Sequence, residues 1–411
     1  PGILGELLSA AFNVNAMLWK TSPAATELEE VVLDWLRQLI GLPPSFMGVI
    51  NDTASVSTLC ALAAAREVAT DFKTRGQGLT GPGFGARLRL YTSEQAHSSV
   101  EKGAVVIGIG EEGVRKVPSD AEFKMDCRAL RTAVREDLSS GYKPFCVVAT
   151  VGTTSATSID PVTEISQICE EHGLWLHVDA AYAGAAAIIP EMRWVLDGCE
   201  RADSLVVNPH KWLFAPIDIS ALYCQKPEAL CRTFQLVPEY LKTTEEGAVR
   251  NYMDYGIQLG RRFRALKLWM IMRYFGRSGI VDRLREHIRI AKWFKEQVDL
   301  DPGFECLAPV PLSVVCFRAN PWAKERRRRS GEIEPYLRVL NERLLNEVNA
   351  TGETFLSHTD LDQRYTLRLA IGNIRTTQEE VQRAWDLLKQ HAARLDRELR
   401  PRKLRTEGGS D

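Results

Sequence analysis

The amino-acid sequence predicts an α/β protein, with a mostly parallel central sheet flanked by helices and a smaller C-terminal α+β domain. Short apolar runs alternate with segments long enough for a helix through much of the 411 residues. These runs are apolar almost throughout, which is typical of strands covered on both faces and therefore of a parallel sheet. Beyond Phe304, further strand patterns and an amphipathic helical pattern indicate the smaller domain.

The predicted elements follow from the hydrophobic periodicity. In the large domain the predicted strands are 88–91, 105–107, 145–150, 174–178 and 204–207, and in the small domain 312–317 and 366–370. Apolar residues at three- and four-residue intervals predict helices at 26–40, 55–69, from 266 onward, 333–348 and 378–395. Ser22 and Pro23 are typical of a helix start and precede the first of these helices.

The same patterns divide the chain into three parts. We expect a large domain at residues 1–266 and a small domain at 267–399. Residues 400–411 are polar and include glycine and serine, so we expect a flexible tail there.

Charge and hydropathy favour a small-molecule substrate over nucleic acid or a membrane. The formal net charge is -1, which gives no electrostatic attraction to nucleic acid or to a membrane surface. No apolar run reaches the roughly 18 residues needed to span a bilayer. The basic run at 324–329 precedes a predicted helix, and we interpret it as a solvated loop.

The cysteines and histidines argue for a reducing compartment and against a metal site. None of the nine cysteines has C-x-x-C spacing, and Cys146 and Cys316 lie inside apolar runs, where a reduced thiol packs as a small hydrophobe. We therefore expect a cytoplasmic protein. The seven histidines show no metal-ligand spacing, so we expect no metal ion.

A lysine at a predicted strand end is the first candidate for chemistry. The strand 204–207 runs into Asn208 and Pro209 and delivers Lys211 at the carboxyl edge of the predicted sheet, where ligands bind in open α/β folds. A lysine surrounded by apolar neighbours can form an imine with a carbonyl cofactor. Taken alone, Lys211 is more readily read as a surface lysine after a turn, because most lysines are solvated.

An acid at the end of another predicted strand strengthens this interpretation. Asp179 follows the apolar run 174–178 and precedes Ala180 and Ala181. A carboxylate on a buried strand end needs a cationic partner, which either an arginine or a protonated pyridine nitrogen can supply. The small Ala181 would let a flat ring lie against the chain.

Two further segments fit the same kind of site, although each is weak alone. Asp52, Thr53, Ala54 and Ser55 lead into the Ala-rich helix predicted to run to about residue 69, and the N-terminus of a helix suits a phosphate group. Serine and threonine are also ordinary helix caps there. His97 follows the strand 88–91 and is suited to stack on a ring or to relay a proton, but a structural histidine is the alternative.

Together these elements resemble the group II pyridoxal-dependent decarboxylases, which include aromatic-L-amino-acid, histidine and glutamate decarboxylases. The resemblance covers almost the whole chain and is nearest to the aromatic-L-amino-acid branch. It rests on Trp19 and on the motifs S-P-A-A-T-E-L-E from residue 22, Q-A-H-S-S from 95, H-V-D-A-A-Y-A-G from 177, N-P-H-K-W from 208 and L-G-R-R-F from 259.

The resemblance implies fold type I of the PLP-dependent transferases, pyridoxal 5'-phosphate (PLP) as cofactor and a homodimer with active sites at the subunit interface. It implies that Lys211 is the Schiff-base lysine, Asp179 the partner of the pyridine nitrogen and His97 the ring-stacking imidazole. The other implied cofactor contacts are Ala181, Thr154, Ala54, Ser55, Asn208, His210 and, from the partner subunit, Gly260.

The resemblance also assigns the reaction type through Tyr240. In this family a mobile-loop tyrosine protonates the carbanion after carbon dioxide leaves, whereas relatives with phenylalanine there release an aldehyde. Tyr240 therefore favours simple decarboxylation to an amine. Without the resemblance it would be read as an ordinary loop tyrosine.

The expected substrate is aromatic, although this chain departs from the family near Trp19. Aromatic decarboxylases carry a small apolar and aromatic cluster where this chain has Asn15 and Met17. We expect these three residues to contact the substrate, in a pocket that Asn15 makes more polar and Met17 more adaptable. Gly260 leaves room for an indole, and tryptophan, tyrosine, phenylalanine and DOPA are the expected substrates.

Several alternatives stay open. They are a non-aromatic substrate such as glutamate, PLP-dependent aldehyde synthesis, and a catalytically silent paralogue that serves as a binding scaffold. A nicotinamide-dependent dehydrogenase is disfavoured because no G-x-G-x-x-G follows the first strand. Family members carry an N-terminal helical segment before the position of Pro1, and we expect a weaker dimer if the protein lacks it.

Overall fold

The computed structural model of the chain describes residues 1–80, 87–236, 249–324 and 330–404. The chain divides into two compact units. Unit 1 consists of Pro1–Thr154 and Ser158–Leu284, and unit 2 of Ser155–Thr157 and Arg285–Asp411. The boundary predicted after residue 266 lies within unit 1.

Ten helices belong wholly or in part to the described residues of unit 1. They are α1 (Gly2–Phe12), α2 (Pro23–Ile40), α3 (Ala54–Ala69), α4 (Lys73–Gln77), α5 (Ser99–Val106), α6 (Cys127–Ser139), α7 (Val162–His172), α8 (Pro209–Trp212), α9 (Pro227–Phe234) and the first part of α10 (Ala265–Leu300). As predicted, Ser22 is the N-cap of α2 and Pro23 its first residue. Gly41 ends this helix with φ 81°, a left-handed conformation that glycine adopts without strain.

The sheet of unit 1 has seven strands in the described residues, and the seventh strand is antiparallel to both of its neighbours. The strands are β1 (Met47–Asn51), β2 (Arg87–Ser93), β3 (Val114–Val117), β4 (Tyr142–Thr150), β5 (Trp175–Asp179), β6 (Ser204–Val207) and β7 (Ser220–Cys224). Their order is β1-β7-β6-β5-β4-β2-β3, and β2 to β6 pair in parallel. Every residue of β5, β6 and β7 is buried. The predicted mostly parallel α/β sheet is therefore confirmed.

One predicted strand is wrong. Residues 105–107 were expected to be a strand because they are β-branched, but the segment lies at the end of α5. The helix buries Val100 and Ala104, whereas Val105 and Val106 are 49% and 68% exposed. Burial of one helical face outweighs the modest strand preference of three β-branched residues.

Unit 2 packs helices on an antiparallel sheet, as the predicted α+β domain requires. Its strands are β8 (Phe304–Cys306), β9 (Val314–Ala319), β10 (Ser357–Leu361) and β11 (Arg364–Ala370), in the order β10-β11-β9-β8. Its helices are the second part of α10, α11 (Ser330–Ala350) and α12 (Gln378–Leu399). Leu404 is buried in the core of this unit. Ordered structure thus extends into the segment expected to be a flexible tail.

Across the described ranges, no helix is both long and apolar enough to cross a membrane.

Candidate active site

The carboxyl ends of β5 and β6 lie side by side and carry the two residues on which the predicted site depends. Asp179 is the last residue of β5 and lies opposite Val206 of the parallel strand β6. Lys211 lies in α8, the single helical turn that follows β6. Both residues therefore emerge at the carboxyl edge of the sheet, where open α/β folds bind ligands.

Asp179 is a buried carboxylate at the end of β5. Asp179 is 6% exposed, and its Oδ1 accepts a hydrogen bond from the backbone N–H of Ala181 at 3.1 Å. Within the described part of the chain, no lysine or arginine forms an ion pair with it. A buried charge without a partner is costly. The carboxylate therefore fits a cofactor that brings its own cation, as the protonated ring nitrogen of PLP does.

Lys211 is exposed, so the expectation that apolar neighbours would enclose it is wrong. The reason is the single turn of α8, in which the adjacent Trp212 takes the inward position and is 0% exposed. The Trp212 ring stacks on Tyr182 with 4.8 Å between centroids. This packing anchors α8 and leaves the lysine amine accessible for covalent attachment to a carbonyl group.

Three small side chains form the floor of the site. Ala54, Ala181 and Val206 pack together as one buried apolar cluster. Ala54 is the first residue of α3, and Ala181 follows Asp179 by two residues. The structure therefore brings two predicted cofactor contacts together beside the buried acid. Their small side chains leave room for a flat ring.

The N-terminus of α3 has free backbone donors. No side chain caps this helix, and the first N–H groups of a helix have no partner within it. Ser55, in the first turn, is exposed. The nearby Asp52 is engaged elsewhere, because its Oδ2 accepts Gln258 Nε2 at 2.6 Å and its Oδ1 accepts Thr53 Oγ1 at 2.9 Å. These donors and the helix dipole suit a phosphate group.

His97 faces both charged residues of the site. Partial burial and the Lys211 ammonium lower its pKa below the usual value, and the Asp179 carboxylate acts in the opposite direction. Its Nδ1 accepts the backbone N–H of Ser99 at 3.1 Å. A neutral imidazole with Nδ1 as acceptor carries its proton on Nε2. His97 is therefore a neutral Nε2–H donor near neutral pH.

Asn208 and His210 supply a further donor. His210 Nδ1 accepts the backbone N–H of Ile219 at 2.9 Å, so its Nε2 carries the proton. Asn208 is 2% exposed. Its Nδ2 lies 3.3 Å from His210 Nε2, so that two donors face each other. In this orientation the buried Asn208 Oδ1 has no hydrogen-bond partner among the described residues. The flipped amide lets Oδ1 accept from His210 and frees Nδ2 as a donor for an anion.

Three other predicted residues are less closely defined. Thr154 is exposed in the loop after β4. Apart from Gly260 and its two chain neighbours, no described residue has an atom within 4 Å of the position that a Cβ at Gly260 would take, which leaves room for the approach of another group. Tyr240 lies in 237–248, outside the described residues.

The residues expected to contact the substrate lie on the segment between α1 and α2. Asn15 Nδ2 donates to Met17 Sδ at 3.0 Å, and Trp19 Nε1 donates to Glu27 Oε1 at 3.1 Å. In the described ranges these side chains form no hydrogen bond with Lys211. Their expected contact with substrate stays a prediction.

Sequence reasoning missed His177, a polar side chain behind the site. It is 0% exposed, its Nδ1 lies 2.9 Å from Ser204 Oγ, and burial lowers its pKa to about 4 although Asp179 acts against this. The signal was the period of two along β5, which places His177 and Asp179 on the same face. The neutral imidazole adds no cation beside the carboxylate.

No group of three histidine, cysteine or acidic side chains suited to a metal ion occurs in the portion described.

Comparison with known proteins identifies the family. The pyridoxal-dependent decarboxylase conserved domain matches residues 1–320. Tyrosine decarboxylase 3 from Petroselinum crispum is 40% identical over 414 residues, which cover 98% of this chain and 78% of the relative. Phenylacetaldehyde synthase from Arabidopsis thaliana is 39% identical over 404 residues, which cover 96% of this chain and 79% of the relative.

A solved structure agrees over nearly the same length. The crystal structure of Oryza sativa TDC with PLP and tryptamine superposes with a TM-score of 0.90 at 36% identity. The superposition covers 96% of this chain and 81% of the other.

Proposed function

Because the chain belongs to the pyridoxal-dependent decarboxylases, it is a PLP-dependent enzyme that removes a carboxylate from an amino acid, and we propose that its substrate is an aromatic L-amino acid. The products are then the corresponding amine and carbon dioxide. Tryptophan, tyrosine, phenylalanine and DOPA are the proposed substrates. The similarity to a tyrosine decarboxylase and to a protein solved with tryptamine supports this choice.

The observation that carries the proposed site is the buried Asp179 carboxylate, which forms no ion pair with a lysine or arginine in the described ranges and ends the strand next to the one that leads to the accessible Lys211. A cofactor attached to Lys211 would place a cationic ring nitrogen at Asp179. When bound, PLP supplies an electron sink for the electron pair left on Cα as carbon dioxide departs. Ala54 and Ala181 would then form the floor of the ring-binding site.

The side chains around this floor have separate proposed roles. The Asp179 carboxylate would hold a proton on the ring nitrogen by charge attraction in a site of low dielectric. His97, with its proton on Nε2, would stack on the ring. The α3 N-terminus, Asn208 and His210 would bind the phosphate through hydrogen bonds. Thr154 and, from the partner subunit, Gly260 would complete the cofactor contacts.

We propose that Tyr240 donates the proton that Cα needs after carbon dioxide leaves, with His97 in support. Proton transfer from a positioned side chain typically contributes roughly 10²- to 10⁴-fold to a rate. On the substrate side, Asn15, Met17 and Trp19 would contact the aromatic ring.

The test is a panel of L-amino acids given to the PLP-loaded protein, with amine, carbon dioxide, aldehyde and peroxide measured together. The proposal expects amine and carbon dioxide in equal amounts from an aromatic amino acid. Turnover of glutamate alone would refute the aromatic substrate. Aldehyde with peroxide would instead support the second candidate, an aldehyde synthase, which the Arabidopsis relative favours.

We also propose a homodimer. Helix α1 exposes four large apolar side chains: Ile3 (78%), Leu4 (59%), Leu7 (63%) and Phe12 (65%). An exposed apolar face of this kind marks a protein interface. Sedimentation equilibrium should give twice the 46.1 kDa chain mass, and Leu7→Glu should shift the equilibrium to monomer.

A reducing, cytoplasmic compartment is the proposed location, because all nine cysteines are free thiols. Cell fractionation tests this directly.

A further inference from the structure

A buried ion pair joins α2 to the turn that carries Gly260. The side chains of Arg261 and Glu29 are only 4% and 2% exposed. The guanidinium group binds the carboxylate through two parallel hydrogen bonds, from NH2 to Oε1 at 2.6 Å and from NH1 to Oε2 at 3.1 Å. This fork geometry is specific to arginine and fixes both direction and distance.

The remaining bonds of the pair all go to main-chain atoms. Arg261 NH1 donates to Ala16 O at 3.0 Å and NH2 to Ile50 O at 2.7 Å. Glu29 Oε1 accepts the backbone N–H of Ile50 at 2.9 Å. The backbone of Arg261 also bonds to this neighbourhood, because its N–H donates to Asn15 Oδ1 at 3.0 Å and its C=O accepts from Ala16 N at 2.9 Å.

These main-chain segments lead to both sides of the proposed site. Ile50 lies near the end of β1, which runs directly into the α3 N-terminus. Gly260 precedes Arg261 in the turn, and Gln258 of the same turn binds Asp52 just before α3 at 2.6 Å. Asn15 and Ala16 begin the segment expected to face substrate.

A purely stabilising role does not explain this arrangement. Desolvation of two charges offsets much of their attraction, and apolar residues of similar volume often stabilise a core as well or better. An apolar pair, however, cannot hold the carbonyl groups of Ala16 and Ile50 in fixed directions.

We propose that Glu29 and Arg261 are a positioning pair that holds the α3 N-terminus, the Gly260 turn and the segment from Asn15 in the register needed to bind PLP. The inference rests on the proposed cofactor contacts of Ala54, Ser55 and Gly260. Neither side chain touches the cofactor; both act through the main chain that they hold.

The experiment measures PLP affinity in Arg261→Lys and Glu29→Gln. Lysine keeps the charge but cannot form the fork, and glutamine keeps the shape but loses the charge. Arg318→Lys is the matched control, since Arg318 is also a buried arginine, with its side chain 5% exposed and bonded to Glu305 and Glu334 in unit 2. Readouts are the PLP dissociation constant, the thermal midpoint and backbone hydrogen exchange.

We expect both unit 1 variants to raise the PLP dissociation constant roughly tenfold, because small displacements of positioning groups are costly in a preorganised site. Exchange should increase at 13–20 and 256–263. Arg318→Lys should lower the thermal midpoint without changing the PLP dissociation constant or the hydrogen exchange at 13–20 and 256–263. A dissociation constant within twofold of the parent in both unit 1 variants overturns the proposal, and so does an equal rise in Arg318→Lys.

The two proposals fail separately. PLP affinity and hydrogen exchange are measured without any amino acid, so an enzyme that rejects aromatic substrates would refute the proposed substrate and leave this test intact. If Arg261→Lys does not fold, Glu29→Gln carries the same expectation.

Discussion

The imidazole of His97 and the ammonium group of Lys211 interact electrostatically, although the two residues follow different strands of the sheet. Partial burial first, and the Lys211 charge second, lower the pKa of His97. The imidazole therefore enters the reaction neutral, with its proton on the nitrogen that Ser99 does not occupy. This relationship links a residue after β2 to one after β6 at a single site.

Replacing the lysine tests that site most directly. Lys211→Ala removes the amine that holds the cofactor, so the absorbance band of the bound cofactor should be lost and turnover should fall below detection. The thermal midpoint without PLP should hardly change, because the side chain is exposed. A borohydride-sensitive band that persists in Lys211→Ala would place the attachment elsewhere.

Asp179→Asn keeps the shape of the buried side chain but removes its charge. We expect kcat to fall by at least roughly a hundredfold, because preorganised charge in a dry site contributes that much or more. The pH titration of the bound cofactor's absorbance should shift as well. Asp197→Asn, at an exposed position, is the control and should leave both unchanged. Equal activity in the two variants would contradict the assignment of Asp179.

Tyr240→Phe tests the proton donor. Without the phenol, the carbanion should not be protonated efficiently, and we expect aldehyde, ammonia and peroxide to replace much of the amine. Product analysis with an aromatic L-amino acid and dissolved oxygen measures this. Tyr274→Phe is the control, because Tyr274 is 71% exposed. Amine-only turnover in Tyr240→Phe would show that another group delivers the proton.

His177 should make stability depend on pH. Burial lowers its folded-state pKa to about 4, so its contribution is complete above the unfolded value of roughly 6.5 and is lost as pH falls towards 4. This difference amounts to about 3 kcal/mol of unfolding free energy. The free energy of unfolding should be measured by denaturant titration at pH 7 and pH 4 for the protein and for His177→Gln. It should decrease less between pH 7 and pH 4 in the variant.

Asp160 does not obscure this comparison. Burial raises its pKa to about 6 despite hydrogen bonds from Thr150 and Met125, so its contribution has the opposite sign: it is complete below the unfolded value and is lost as pH rises through 6. The contribution of Asp160 to the free energy of unfolding is present in both the protein and His177→Gln. It therefore cancels when the two are compared. Parallel pH curves for the two proteins would mean that His177 is not buried in neutral form.

Much of the fold was predictable because several of its strands contain runs of apolar residues. The strands at β2, β4, β5 and β6 were recognised from runs of apolar residues, and β6 was predicted at its observed bounds. Strand β7 was not predicted, since its run reads like any buried segment and its antiparallel direction depends on the loop after α8. The failed strand at 105–107 is the converse case, in which packing of α5 overruled a local preference.

The candidate site was predictable in its residue types but not in its environment. Asp179 and Lys211 stand out because each follows an apolar run, and the strand pairing places both at one edge. The exposure of Lys211 could not be predicted, because it depends on which residue of a single helical turn faces inward. The Glu29–Arg261 pair could not be recognised either, since neither charge has a local signal of burial.

The sequence alone determined which chemistry is available: an amine, an acid, an imidazole and small residues follow apolar segments, and these patterns are local. The tertiary structure alone decided that Asp179 is buried with no ion pair to a lysine or arginine of the described residues, that His97 accepts a hydrogen bond at Nδ1 and so carries its proton on Nε2, and that Arg261 binds the main chain at Ala16 and Ile50. The physical reason is that charge state and position depend on desolvation and on partners distant in sequence, which local patterns do not specify.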